Sequence, residues 1–289
     1  MTHIVELIAG GLIVGGIYAV VAMGLNLQYG LMRIMNISHG EFLMVGAYLT
    51  WLGHTVLGLN PLATLPLVAA ALFAGGLAIY ALCFRRVVRE APSVEVIEAR
   101  SLLIGFGLMF LVQNAALLIW GADLRGYDFL SNSVEVAGAR VGANRLLVFG
   151  FAIAASLALL AVLRYTLLGK SVRAMMQSPV GAQLVGIDTR ILHPVVFGAG
   201  LALAGVAGSL ISMVYELSPS MGEPYTVTAL IVITLGGLGS AMGCLVGGLL
   251  LGLVEALGMY FFSPSLKMLL SYAVFILVLL ARPQGLFSR

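Results

Sequence analysis

The chain has 289 residues, 61% of them hydrophobic and 9% charged, with a formal net charge of +3. A mean hydropathy of +1.09 exceeds what a soluble domain of this length can hide from water. Composition therefore excludes a soluble enzyme, offers no basic nucleic-acid-binding face, and points to an all-α polytopic membrane protein.

Met1 to Glu6 lacks the basic n-region of a signal peptide, and the apolar run behind it is longer than an h-region. A retained first span is expected over roughly 7–31. About 20 apolar residues cross a bilayer, which predicts further spans over 39–58, 62–84, 101–121, 146–165, 191–214, 241–260 and 266–281. A shorter run, Thr226 to Leu235, leads into Gly236-Gly237-Leu238-Gly239-Ser240. It is too short for an upright crossing, so a tilted, broken or re-entrant segment is expected, with neighbouring protein or a wet cavity satisfying its freed backbone. The total is about eight or nine membrane segments in a single domain over 1–289. Cys83 and Cys244 fall inside apolar runs and read as small core residues.

Positive charge orients the spans. Arg33, then Arg85, Arg86, Arg89 and Arg100, then Arg164, Lys170, Arg173 and Arg190 mark three loops as cytoplasmic and the N-terminus as external. The loops near Asn60-Pro61 and from Tyr215 to Tyr225 carry no Lys or Arg and suit the outer side. If 226–235 crosses, the arginine-bearing tail Arg282 to Arg289 lies inside. The outer segment from about 122 to 145 is sizeable but holds no independent domain.

The polar and small residues each have a plain structural reading and a functional one. Gly11 and Gly15 form a GxxxG pair, and Gly239, Gly243 and Gly247 form a stripe near Gly236 and Gly237. Such spacing brings helix backbones together, and interfaces of this kind can also slide. In Asn36-Ile37-Ser38-His39-Gly40-Glu41-Phe42, Ser38 and Glu41 have capping-box spacing. The rival reading makes Asn36, His39 and Glu41 candidate pathway-lining groups, because ionisable residues at membrane depth are functional by default. No second His or Cys lies near enough to propose a metal site. Glu255 reads as an interfacial residue or one paired with a neighbouring helix. Arg164 to Ser171 superficially resembles a P-loop, but Arg164 stands where Gly is required and a membrane span precedes it. No nucleophile–base pair with an orienting partner is evident.

The segment 169–190 is the most informative. Arg173-Ala174 precede a helix start in which Ser178 caps and Pro179 takes the first position. Ala182 lies within that helix and Gly186 stops it. A plain loop needs no such order, so a short helical projection serving as a coupling loop for a separate motor is expected.

Taken with Gly24 to Met32, Asn36 to Phe42, Gly236 to Ser240 and Arg282 to Phe287, this segment resembles the LivH-type permeases of bacterial branched-chain amino acid importers of the ATP-binding-cassette class, over essentially the whole length. The sequence departs from that pattern at Ser38, where Ala is frequent, and at Val180-Gly181, where an acidic residue and Ala are frequent. The resemblance implies a non-catalytic inner-membrane permease embedded in lipid and binding no cofactor itself. It also implies a related second permease, two cytoplasmic ATPases carrying ATP and Mg, and a periplasmic binding protein. A motor-independent channel or facilitator for urea or a short amide is the alternative from another class, and a non-transporting scaffold a third.

Overall fold

The computed structural model describes every residue except 1, 137–138, 262–266, 283–284 and 288–289. The elements in chain order are α1 Thr2–Met32, α2 His39–Thr55, α3 Pro61–Ile79, a π-helical turn Tyr80–Phe84, α4 Arg85–Glu90 and α5 Val94–Trp120. A hairpin of β1 Ser133–Val136 and β2 Ala139–Gly142 follows, then α6 Ala143–Tyr165, α7 Leu167–Gln177 and α8 Pro179–Leu184. The chain closes with α9 Thr189–Ser212, α10 Gly222–Gly236, α11 Ala241–Phe261 and α12 Lys267–Ala281. Among the described residues, six helices are long and apolar enough to cross a bilayer: Glu6–Met32, Pro61–Glu90, Val94–Trp120, Ala143–Tyr165, Thr189–Ser212 and Ala241–Phe261. The polytopic all-α expectation is borne out.

Three boundaries differ from the sequence reading. The helix begun at Pro61 continues through the π turn to Glu90, and α5 starts at Val94. Arg85, Arg86, Arg89 and Arg100 therefore stand on helix ends, because Arg carries an apolar stem that tolerates a helix running past the hydrocarbon edge. The short run at 226–235 is part of a 15-residue helix, α10, which at 1.5 Å per residue spans only ~22 Å. The outer segment folds its end into an antiparallel hairpin pairing Val134 with Val141, which the charge-rich sequence there did not signal.

Burial separates a core from a lipid face. The apolar windows of α1 and α9 are 67% and 72% buried, against 17% for both α5 and α6. Leu103, Phe110, Leu111 and Leu118 on α5 and Leu157 and Val162 on α6 are exposed. In a bilayer that exposure costs nothing, since lipid tails are as apolar as leucine.

What draws the core together is the absence of side chains. A Cβ on Gly15 of α1 would stand 2.7 Å from the Gly248 carbonyl of α11, and one on Gly248 would stand 2.6 Å from the Ala19 nitrogen. A Cβ on Gly11 would stand 2.9 Å from the Gly252 carbonyl, and one on Gly24 would stand 2.7 Å from the Gly200 carbonyl of α9. Without an aqueous hydrophobic effect between spans, this close packing supplies the attraction.

One group of buried polar side chains is paired across three helices. Glu255 of α11 accepts from the Tyr18 hydroxyl of α1 at 2.8 Å and from the Ser271 hydroxyl of α12 at 2.5 Å. Of the two readings the sequence left open for Glu255, an interfacial place or a partner on a neighbouring helix, this is the second. Replacing Glu255 by alanine should cost about 1–3 kcal/mol, because two buried hydroxyls lose their acceptor. The measurement is the midpoint of unfolding in detergent, and an unchanged midpoint would show the trio to be dispensable.

α10 is flanked by α1, α2, α11 and α12, the protein surround that a short intramembrane helix requires. Its last carbonyls are met by the tail, where Leu286 N–H donates to Leu235 O at 2.9 Å and Phe287 N–H to Gly236 O at 3.2 Å. On the side of the hairpin, Arg125 and Leu217 exchange backbone hydrogen bonds of 3.0 and 2.7 Å. Tyr127 lies 2.9 Å from the Ser212 hydroxyl, and burial pushes its phenol up to about 12.

Candidate functional site

The break between α1 and α2 gathers a polar cluster inside the core. Gln28, Asn36, Ser38, His39 and Glu41 are all buried. The Asn36 amide donates to Gln28 Oε1 at 3.0 Å, and Asn36 Oδ1 accepts from the Ser38 hydroxyl at 2.6 Å. Gln28 in turn donates to the Phe197 carbonyl of α9 at 3.2 Å. His39 Nε2 lies 3.2 Å from the Val21 carbonyl.

The capping-box reading of Ser38 and Glu41 does not hold. Ser38 has φ −73° and ψ 4°, outside the extended geometry a capping residue normally takes, and its hydroxyl is spent on Asn36. The open N–H of Gly40 donates instead to Thr226 Oγ1 of α10 at 2.8 Å. A hydroxyl from another helix has replaced the local cap, so the Glu41 side chain is released from capping duty.

Released, Glu41 points at the start of α10. Its carboxylate lies so close to Gly222 that a Cβ there would stand 2.7–2.8 Å from the Glu41 carboxyl atoms. Both carboxylate oxygens are buried without a hydrogen-bond partner in the protein. A buried acid left unpaired is costly and calls for an explanation. Of the three candidate pathway residues, Asn36 is bound into the network, whereas His39 Nδ1 and Glu41 retain unused hydrogen-bonding capacity. Thr226 and Gly222, which complete this corner, were not singled out from sequence because their role depends on a contact between α2 and α10.

The glycines of the 236–247 region divide into two kinds. Gly243 sits against the Gly236 backbone, where an added Cβ would stand 3.0 Å from Gly236 Cα, and a Cβ added to Gly247 would stand 3.2 Å from the Val232 carbonyl. Gly237 and Gly239 are turn residues with φ +97° and +85°, a region where side chains cost energy. The Gly239 N–H donates to Asn26 Oδ1 at 2.8 Å, tying the turn to α1.

The second locus is the helix pair α7–α8. Thr166 caps α7 by accepting from Gly169 N–H at 3.1 Å, and Gly169 packs on the α6 backbone at Val162 and Leu163. Val172 and Met175 bury the inner face of α7. Arg173 is exposed and donates to the Arg164 carbonyl at 3.3 Å, a cation at the end of α6. Ala174 is half-buried. Ser178 accepts from Gly181 N–H at 3.1 Å with Pro179 in the first turn of α8. The other end is a Schellman turn: Gly186, at φ +88°, donates to Gln183 O, and Ile187 donates to Ala182 O, both at 3.0 Å.

Ala182 is buried at 3% exposure, so it faces the protein. The outward side chains are Val180, Leu184 and Val185, exposed at 71%, 83% and 77%. Sequence reasoning passed over them. The usable signal was an apolar pair four residues apart in a short helix outside the spans.

A chain whose apolar face looks outward and whose polar groups turn inward is a multi-pass helical membrane protein. Comparison with known proteins makes this specific. Residues 7–279 match the family described as the permease component of the branched-chain amino acid transport system, and the chain belongs to it. It is 31% identical to the Escherichia coli K12 high-affinity branched-chain amino acid transport system permease protein LivH, covering 96% of this chain and 94% of that one. It is 29% identical to BraD, the corresponding Pseudomonas aeruginosa permease protein, covering 99% of this chain and 96% of that one. It is also 26% identical to the E. coli permease protein LivM, covering 93% of this chain and 67% of that one. The expectation drawn from sequence resemblance, a LivH-type permease, is borne out.

Proposed function

We propose that this chain is half of the translocation pathway of an ATP-driven importer for branched-chain amino acids in a bacterial inner membrane, with its N-terminus outside and its C-terminus in the cytoplasm. The chain itself carries out no catalysis and binds no cofactor. ATP and Mg belong to two ATPase subunits docked on α7–α8, a periplasmic binding protein delivers the solute, and a related permease supplies the other half. The similarity to both LivH and LivM supports that pairing. The substrate class rests on the family and on the names of these relatives.

The observation that carries the motor-driven reading is α8. It is a six-residue helix anchored at both ends, yet it presents three apolar side chains outward. A surface of this kind marks a protein contact. Fixed ends let a push on α8 reach α7 and α9 without being absorbed in slack chain. The pathway itself is assigned to the corner of Asn36, His39 and Glu41 beside the start of α10, where buried polar capacity remains unused.

The test is leucine uptake into vesicles holding the full assembly. ATP-dependent accumulation against a gradient is expected. Uptake that only follows the gradient and persists after ATP depletion would establish the facilitator instead, and no flux of any solute would establish a scaffold. If urea or a short amide accumulates in place of leucine, the substrate assignment falls while the motor assignment stands.

A further inference from the structure

Where the π turn ends and α4 begins, a cavity of about 400 Å³ opens between α4, α9 and α8. Its chemistry is cationic. Arg85 and Arg89 line it from α4, one helical turn apart and so on one face. Arg190 and His193 line it from the first turns of α9, two and five positions after that helix's own capping residue Asp188. Among the described residues no carboxylate lines the cavity. Three guanidiniums around one space repel one another unless an anion joins them.

His193 backs the same wall with its ring held by Tyr80. Its Nδ1 lies 3.3 Å from the Tyr80 hydroxyl, and its Nε2 is buried without a partner. With the phenol donating to Nδ1, Nε2 carries the ring proton and presents a donor with no acceptor. The surroundings identify the source of the anion. Leu82 and Ile191, adjoining these residues on the same two helices, are 83% and 65% exposed. In a bilayer that exposed apolar surface would face acyl chains beside the guanidiniums, the arrangement in which basic pockets between spans take lipid headgroups.

We propose that this cavity holds the phosphate of an anionic phospholipid headgroup, with Arg85, Arg89 and Arg190 as counter-ions. The site rests only on the chain lying in a bilayer. A consequence rests in addition on the proposed function: Gln183 of α8 also lines the cavity, so an occupied site braces the coupling helix against α4 and α9.

The test uses the full chain in nanodiscs of phosphatidylcholine, alone or mixed with phosphatidylglycerol, with lipid binding read by native mass spectrometry and stability by thermal melting. The wild-type chain is expected to retain phosphatidylglycerol selectively and to melt higher in its presence. In R85Q/R89Q the apparent affinity for that lipid should fall roughly tenfold or more, because each arginine near an anionic headgroup contributes about 1 kcal/mol. If the double variant fails to fold, R190Q alone should show a smaller loss of the same kind. R145Q, at a distant helix start, should bind as wild type does. Equal retention by wild type and the pocket variants would overturn the site. Equal stabilisation by inorganic phosphate in pure phosphatidylcholine discs would overturn the lipid source.

Discussion

Replacing Gly243 by leucine is expected to abolish the folded protein. Gly243 of α11 lies backbone to backbone with Gly236 of α10, with which an added Cβ would collide outright. Backbone on both sides leaves no side chain to swing away, so helix displacement is the only relief. Overpacking in a core that can adjust costs about 1–3 kcal/mol, and here adjustment is blocked. The displacement would also pull α10 from the hydroxyl it offers to Gly40 and from the tail it holds. Folded yield, measured as monodisperse protein after detergent extraction, should drop at least about tenfold. Gly107→Leu is the control, since nothing lies within 4 Å of a Cβ at that position on lipid-facing α5. Equal yields for the two variants would show that close approach of α10 and α11 does not hold the fold.

The second large effect is expected at α8, with the fold intact. Leu184→Asp places a charge on a side chain 83% exposed, so the isolated subunit should be unperturbed. Burial of that charge at an interface is another matter, costing several kcal/mol. ATP-driven uptake in vesicles should fall about a hundredfold while the subunit inserts at normal levels, with Val180→Asp close behind. Arg173→Glu should also uncouple transport, although it additionally removes the cation from the Arg164 carbonyl. Ala182→Trp is the least informative change, because Ala182 faces inward and the ring would break α8 itself. Normal transport by Leu184→Asp at matched expression would remove α8 as the point where the motor pushes.

Local signals were legible in this sequence, and signals completed by a distant residue were not. The start of α8 at Ser178-Pro179 and its stop at Gly186 need only neighbours in the chain, and both are present as expected. The GxxxG spacings mark close approach without naming the partner; that Gly15 meets Gly248 is a fact of the fold. The motif Ser38 to Glu41 misled because its spacing satisfies a local rule while Thr226, far along the chain, outcompetes it. For Glu255 a partner helix was one of two readings its position allowed, and Tyr18 and Ser271 could not be named. The hairpin at 133–142 escaped because alternation over four residues is too short to stand out among charges.

The pairing of Tyr18 with Glu255 joins residues 237 positions apart. At roughly 5–20 residues per second of synthesis, the first span waits roughly 12–50 s for the helix that covers its glycines. For much of that interval Asn26 lies at membrane depth without Gly239, and Gln28 without Phe197, to meet them. The insertion machinery must therefore shelter an incomplete bundle until the last spans emerge. A ribosome stalled before α11 would leave an inserted but unfinished chain, open to quality-control proteolysis along its exposed small-residue seam.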